Sequence, residues 1–434
     1  MAEAKRKSRA TPTAAAWLSA RSAIERLGIK RETLYAYVSR GLVHSVASEG
    51  GRGRLYDAED IARLRARHDA RSGHAAVAGA ALRFGEPVLE TAISDVAPDG
   101  PRYRGHSALA LAARGVSFER VAELLWTGAL PEHATWTAER ALPTRGLAPY
   151  LCDPSPLARM SLVVAALALA DPDRQGASDS AEHERARAVI RWLPRAVAPT
   201  LAVQDESPIA DALLGAWQLR SSAGPRTLVN EALVLCADHE LNASTFAARV
   251  TASAGGDLYA CLASALATLS GSDHGGVCDR IEALLTEIAR PERASAVIRE
   301  RLRRGDAIPG FGHPLYPNGD PRGSHLIARA RAHDPRNLPV RTALALIDAM
   351  QRAGHPPPTL DAGLVCLSRA LALPTAAAPT LFAIGRSAGW VAHALEQRAA
   401  HYVLRPRARY VGPLTAPPPP ATFPPLRPKP TPER

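Results

Sequence analysis

The chain has 434 residues, of which 46% are hydrophobic and 22% charged, and its formal net charge is +11. That length allows two or three domains around a large core, and no apolar run approaches the ~20 residues needed to cross a bilayer, the longest clean one lying near Ser161–Ala170. The five cysteines (Cys152, Cys236, Cys261, Cys278 and Cys366) lack close-paired spacing, which speaks against a disulfide framework or a zinc site and fits a reducing cytoplasm.

The charge is unevenly placed. Residues 1–72 carry 15 Lys/Arg against 8 Asp/Glu, and residues 401–434 carry 6 against 1, which leaves 73–400 near −1. A near-neutral body with basic ends directs any polyanion-binding role to the ends. The opening MAEAKRKSRATPTAAAWLSA has a basic head and too short an apolar stretch for a signal peptide, so 1–16 reads as a basic tail.

Residues 17–72 form a compact basic segment. LSARSAIERLGIKRETLYAYVSRGLV (18–43) predicts two short helices: Ser19 caps the first, Ile24 and Leu27 face inward, and Gly28 permits the left-handed turn that ends it. The second helix carries Thr33, Leu34, Tyr35, Tyr37 and Val38 and stops at Gly41. GGRGRLY (50–56) then reads as a Gly/Arg hairpin, and DAEDIARLRARH (57–68) as a helix with Asp57 as N-cap, Asp60 at its third position, and Ile61 and Leu64 inward.

This pattern resembles the winged helix-turn-helix of the MerR-type regulators. The resemblance implies that the second helix enters the major groove with Lys30, Arg31, Thr33 and Tyr37 near DNA. Arg52 and Arg54 on the wing would meet phosphates or the minor groove. Fold does not establish function, and such modules also serve as interaction surfaces, so DNA binding and assembly both stand as expectations for 17–72.

After a linker at 73–84, the body is rich in Ala and Leu with helical apolar spacing, as in Leu213, Leu214, Trp217 and in Leu258–Leu269. Only 5% of residues are aromatic and alternating runs are few, so the expected fold class is all-α. From Pro413 the chain has ten prolines in 22 residues and is expected to be polyproline-like or disordered rather than packed.

Four blocks of the body place His or Arg beside small or turn-forming residues: CADHELNAST (236–245), GSDHGG (271–276), PGFGHPLYPNGDPR (309–322) and LFAIGRSAGW (381–390). Such blocks bring backbone and cationic side chains close to a ligand. Together with ETAISDVAPDGPRYRGHSALALAARGVSFERVAELLWTGALP (90–131) and RPRARYVGP (405–413), they resemble the citrate synthase family across nearly all of 85–412. The resemblance implies large and small helical subdomains, the small one at about 275–375, closing over substrate.

It also implies roles. His274 matches the histidine that stabilises the acyl-CoA enol, His313 the one that acts as an acid toward the oxo-acid carbonyl, and Asp361 in TLDAG the base that removes the proton α to the thioester. His239, Arg322 and Arg386 match ligands of the oxo-acid carboxylates, and Arg405 an arginine supplied by the neighbouring subunit of an obligate dimer. The implied reaction condenses acetyl-CoA or propionyl-CoA with oxaloacetate and needs no metal or organic cofactor. An alternative is a DNA-binding metabolite sensor built on a synthase body.

Some residues depart from the family pattern. Asp273 precedes His274 and is expected to raise that histidine's pKa. Cys278 and Asp279 stand where an Asn-Glu pair is common, and Pro314 stands where an Arg usually serves the CoA phosphates.

Overall fold

A computed structural model describes residues 17–39, 42–47, 53–62, 64, 89–137, 150–152, 155–175, 178–197, 207–406 and 412. The 1–16 and 73–84 segments, the Pro-rich stretch from 413 and Arg52 lie outside the described residues. The chain divides into two units, Met1–Leu404 and Arg405–Arg434.

The N-terminal module contains β1 (Trp17–Ser19), α1 (Ala20–Leu27), α2 (Arg31–Ser39), β2 (Ser45–Ala47) and β3 (Arg54–Asp57). Ser19 Oγ accepts the Ser22 amide at 3.2 Å, and Gly28 at φ 63° closes α1. β2 and β3 pair antiparallel as the expected wing, but β1 joins the other edge of β3, a third strand that three residues of sequence could not announce. The Asp57 carboxylate accepts the Glu59 and Asp60 amides at 2.9 and 3.0 Å and starts the next helix. Ala23, Leu27, Leu34, Val43, Tyr56 and Ile61 form a small core. Tyr37 packs against that core, whereas Tyr35 stands 46% exposed and accepts a hydrogen bond from Arg31 Nε at 2.8 Å.

The body opens with a three-stranded antiparallel sheet of β4 (Ser94–Ala97), β5 (Gly100–Tyr103) and β6 (His106–Ser107), which the all-helical expectation did not include. Its strands are too short and polar to show alternation; the turn rests on Gly100 at φ 118°. Tyr103 anchors the sheet to the core, donating its hydroxyl to the Val234 carbonyl at 2.9 Å.

The remaining described regular structure is helical. α3 (Ala108–Ala113), α4 (Phe118–Thr127), α5 (Pro156–Ala170), α6 (Asp179–Val197), α7 (Ile209–Ala216), α8 (Ala223–Cys236), α9 (Ala243–Ser253) and α10 (Leu258–Leu269) come first. α11 (Gly276–Ile288), α12 (Ala294–Arg304), α13 (Pro321–His333), α14 (Leu338–Arg352), α15 (Leu360–Ala370) and α16 (Ala377–Ala399) follow. α16 is buried on all faces from Ala377 to Ala394 apart from Phe382, as its all-round apolar and small residues require, and packs on α8, α9, α10 and α4.

One crossing positions functional groups directly. α13 and α15 meet through Gly323 and Gly363, where a Cβ on Gly363 would lie 2.8 Å from Gly323 Cα and a Cβ on Gly323 would strike the Thr359 carbonyl. The main chains therefore touch, and Arg322 on the first turn of α13 is set close to Asp361 on the first turn of α15. Between these helices the preceding segments pair: Gly312 N donates to Pro357 O and Thr359 N to Gly310 O, both at 2.9 Å.

Candidate active site

Six of the seven body residues proposed from the sequence lie in the described part of the first unit, and Arg405 begins the second. His239 follows the C-terminus of α8 and is buried. Its loop is fixed by Asp238, which accepts the Ser94 hydroxyl and lies 3.2 Å from His393 Nε2. Burial pushes the Asp238 pKa up, but His393, Arg386 and the Ser94 bond outweigh it and hold the carboxyl below the usual range.

His239, His313 and Arg322 converge on Tyr316, which lies in the PGFGHPLYPNGDPR block and has no catalytic counterpart in the sequence motifs. His239 Nε2 lies 3.0 Å from the Tyr316 hydroxyl, and the His239 and His313 rings meet edge to face with centroids 5.5 Å apart. The Arg322 guanidinium stands 5.8 Å from the Tyr316 ring centroid. Leu315 N–H donates to His313 Nδ1 at 3.2 Å, so the neutral His313 ring carries its proton on Nε2. Burial, with Arg322 beside it, lowers the His313 pKa; burial and the two arginines lower that of His239 well below the usual value.

The two buried arginines differ in their partners. Arg322 Nε and Nη2 grip Asp320 at 3.0 and 2.8 Å, and Asp320 also accepts the Leu360 amide at 3.3 Å, tying α13 to α15. Arg386 Nε donates to the Cys236 carbonyl at 2.7 Å, and its guanidinium lies 4.8 Å from the Phe382 ring centroid. Among the described residues no carboxylate forms an ion pair with Arg386. In both arginines Nη1 is buried with no hydrogen-bond partner. A donor left this way costs about 1–3 kcal/mol, so these two point to an acceptor supplied from outside the chain.

His274 sits in the loop between α10 and α11, where Gly275 is required because a Cβ would collide with the Leu269 carbonyl. Its Nε2 lies 3.0 Å from Ser244 Oγ, which also accepts the Trp390 indole N–H at 3.1 Å and lies 2.9 Å from Asn242 Oδ1. The ring meets Phe382 edge to face at 5.8 Å. Burial and Arg386 lower its pKa to about 4. The expectation that Asp273 would raise this pKa is therefore wrong: the Asp273 side chain is 94% exposed and pairs with Arg280 at 3.4 Å. Adjacent residues on a tight turn point apart, and water screens the carboxylate.

Asp361 is half-buried. Thr359 Oγ1 donates to its Oδ2 at 3.2 Å and Cys278 Sγ to its Oδ1 at 3.5 Å. Burial raises its pKa against these donors and against Arg322. Phe382, Ser244 and Asp320 lie in the same blocks and Thr359 in TLDAG, and their contacts show how they support the site. Among the described residues no group of three or more His, Cys, Asp or Glu side chains is arranged to hold a metal ion, and no helix is long and apolar enough to cross a membrane.

An α-helical body with clustered histidines, two incompletely satisfied arginines and a half-buried carboxylate fits a class of enzyme that enolises one substrate while gripping a carboxylate of another. Residues 83–407 match the family model for the citrate synthase C-terminal domain, and residues 18–73 match that for MerR HTH family regulatory proteins. Citrate synthase 2 of Bacillus subtilis is 30% identical over 77% of this chain and 96% of its own length. The 2-methylcitrate synthase of Mycobacterium tuberculosis is 34% identical over 76% of this chain and 89% of its own. Citrate synthase from Thermoplasma acidophilum, solved as a ternary complex with carboxymethyl coenzyme A and oxaloacetate, superposes with a TM-score of 0.68 at 25% identity, over 76% of this chain and 95% of that one. The chain belongs to the citrate synthase family of acyltransferases.

Proposed function

We propose that this chain is a citrate synthase, condensing acetyl-CoA with oxaloacetate and water to give citrate and CoA in the cytoplasm. The observation that carries the reading is the pair of buried, unpartnered Nη1 donors of Arg322 and Arg386 beside His239, a fork-like receptor for a small dicarboxylate. Asp361 removes the α-proton of the thioester. His274, neutral above pH of about 4, stabilises the enol as a neutral imidazole hydrogen-bond partner. His313, with its proton on Nε2, polarises and then protonates the attacked carbonyl as the new C–C bond forms. Water then cleaves the citryl thioester, releasing CoA and drawing the reaction forward. Arg405 completes the carboxylate site from the neighbouring subunit of a homodimer, and the small lobe at about 275–375 closes to exclude water.

Release of CoA by the purified chain tests the reading, with oxaloacetate and, separately, acetyl-CoA and propionyl-CoA, after subtracting the background of its own thiols. Turnover with acetyl-CoA preferred is the expected result; preference for propionyl-CoA would make it a 2-methylcitrate synthase, since one methylene is worth only ~1–3 kcal/mol in a pocket. Silence with both, from folded protein, overturns the proposal.

A second reading concerns residues 17–72 and is favoured by exposed Lys30, Arg31 and Arg54 on a module that carries its own core. These residues, with Thr33, Tyr37 and Arg52, bind DNA. Half-burial of Tyr37 leaves it a smaller share of the contact than the exposed Tyr35 beside Arg31. Retardation of DNA from the protein's own locus should weaken steeply with salt, the signature of counterion release. It should be lost when Arg31 and Arg54 are both replaced by Ala. Absence of binding at low salt would leave assembly as the module's role.

A further inference from the structure

The two oxygens of Asp361 are held by side chains from opposite directions. Thr359 grips Oδ2 from the same helix start, while Cys278 reaches Oδ1 from the first turn of α11, 83 residues away in sequence. Cys278 is 1% exposed, so the donor end of this contact is shielded from water. We propose that Cys278 is a positioning residue for the base, a thiol donor that fixes the Asp361 carboxylate toward the substrate α-carbon. The inference rests on the assignment of Asp361 as that base.

Three observations support this. First, a carboxylate has no rotational preference that would aim one oxygen at a substrate, and two donors on different elements restrict it far more than Thr359 alone. Second, Cys278 belongs to the same short stretch as His274, the loop residue four positions earlier. A single segment thus carries the group facing the enol oxygen and clamps the group facing the α-proton, which couples the two sides of one proton transfer geometrically. Third, burial next to Asp361 keeps the thiol protonated: its pKa is raised well above the usual value, so it remains a donor throughout the working range and is not a thiolate nucleophile. A thiol is a weak donor, but a hydrogen bond from a fully buried donor counts for more than the same bond in solvent.

Removal of the donor has a definite consequence. Oδ1 loses a group that favours the ionised carboxylate, so Asp361 binds its proton more tightly and the free enzyme needs a higher pH to present its base. Cys278→Ala and Cys278→Val both remove the S–H, the first leaving a cavity and the second filling it; Cys278→Ser keeps a donor. The expected result is a kcat lowered by roughly 3–30-fold in the Ala and Val variants, with KM for both substrates changed by less than about twofold. The acidic limb of kcat/KM should move upward by about 0.5 pH unit in both, and stay near wild type in Cys278→Ser. A merely structural cysteine would lower the amount of folded enzyme without moving that limb. Limbs that coincide with wild type in folded Ala or Val variants, or a Ser variant displaced as far as they are, overturn the proposal. Asp361→Ala, assayed in parallel, separates the two failures: if it retains full activity, the assignment of the base itself has failed.

Discussion

Asp361→Asn should lower kcat by roughly 10²–10⁴-fold while KM for oxaloacetate stays within a few-fold of wild type. The amide keeps the volume and one acceptor oxygen, so it holds either Thr359 or Cys278 and turns its NH2 toward the other, and packing is nearly unchanged, but it removes the carboxylate proposed to accept the α-proton. The wild-type acid limb should lie above the range of an ordinary aspartate, because burial raises the Asp361 pKa and activity falls as pH drops through that raised value. His274 does not set this limb, since it stays neutral down to about pH 4. Steady-state kinetics of the folded variant across pH check both statements. Turnover within tenfold of wild type would remove Asp361 from the mechanism.

The second large effect separates the two arginines. Arg386→Leu should raise KM for oxaloacetate by roughly 30- to 5,000-fold, corresponding to about 2–5 kcal/mol for removing one partner of a desolvated charge pair. Its effect on the ligand-free protein should be opposite in kind. Arg386 is buried with no ion-pair partner among the described residues, so exchanging it for an apolar side chain relieves a desolvation cost and leaves the thermal midpoint unchanged or higher. Arg322→Leu abandons Asp320 in the interior instead, and should destabilise the fold by about 3–5 kcal/mol as well as weakening binding. Thermal denaturation alongside oxaloacetate titration distinguishes the pair. An Arg386→Leu protein with unchanged KM would show that its guanidinium does not meet the substrate.

Much of the candidate site was legible because its residues sit in blocks whose glycines and turn formers interrupt the Ala/Leu-rich helical spacing of the body. His274, His313, Arg322 and Arg386 each lie in such a block. The capped helices of the N-terminal module were legible for the same local reason: Ser19, Gly28 and Asp57 act on neighbours within a few positions. What the sequence hid is contact at long range. Cys278 and Asp361, Ser244 and His274, and Trp390 and Ser244 are separated by 83, 30 and 146 positions, and no periodicity records such meetings. Asp273 is the complementary case, a neighbour of His274 in sequence whose side chain faces solvent and Arg280 instead.

The glycine crossing of α13 and α15 acts as a ruler. Because backbone meets backbone at Gly323 and Gly363, the offset between Arg322 and Asp361 is graduated in main-chain radii and has no side chain that could be trimmed or lengthened to alter it. In the proposed roles, this fixes the span between the grip on the oxo acid and the point of proton removal. A bulkier acyl group then has to be admitted by side chains away from this crossing. Selection for a different chain length would act on those side chains and leave the two glycines alone.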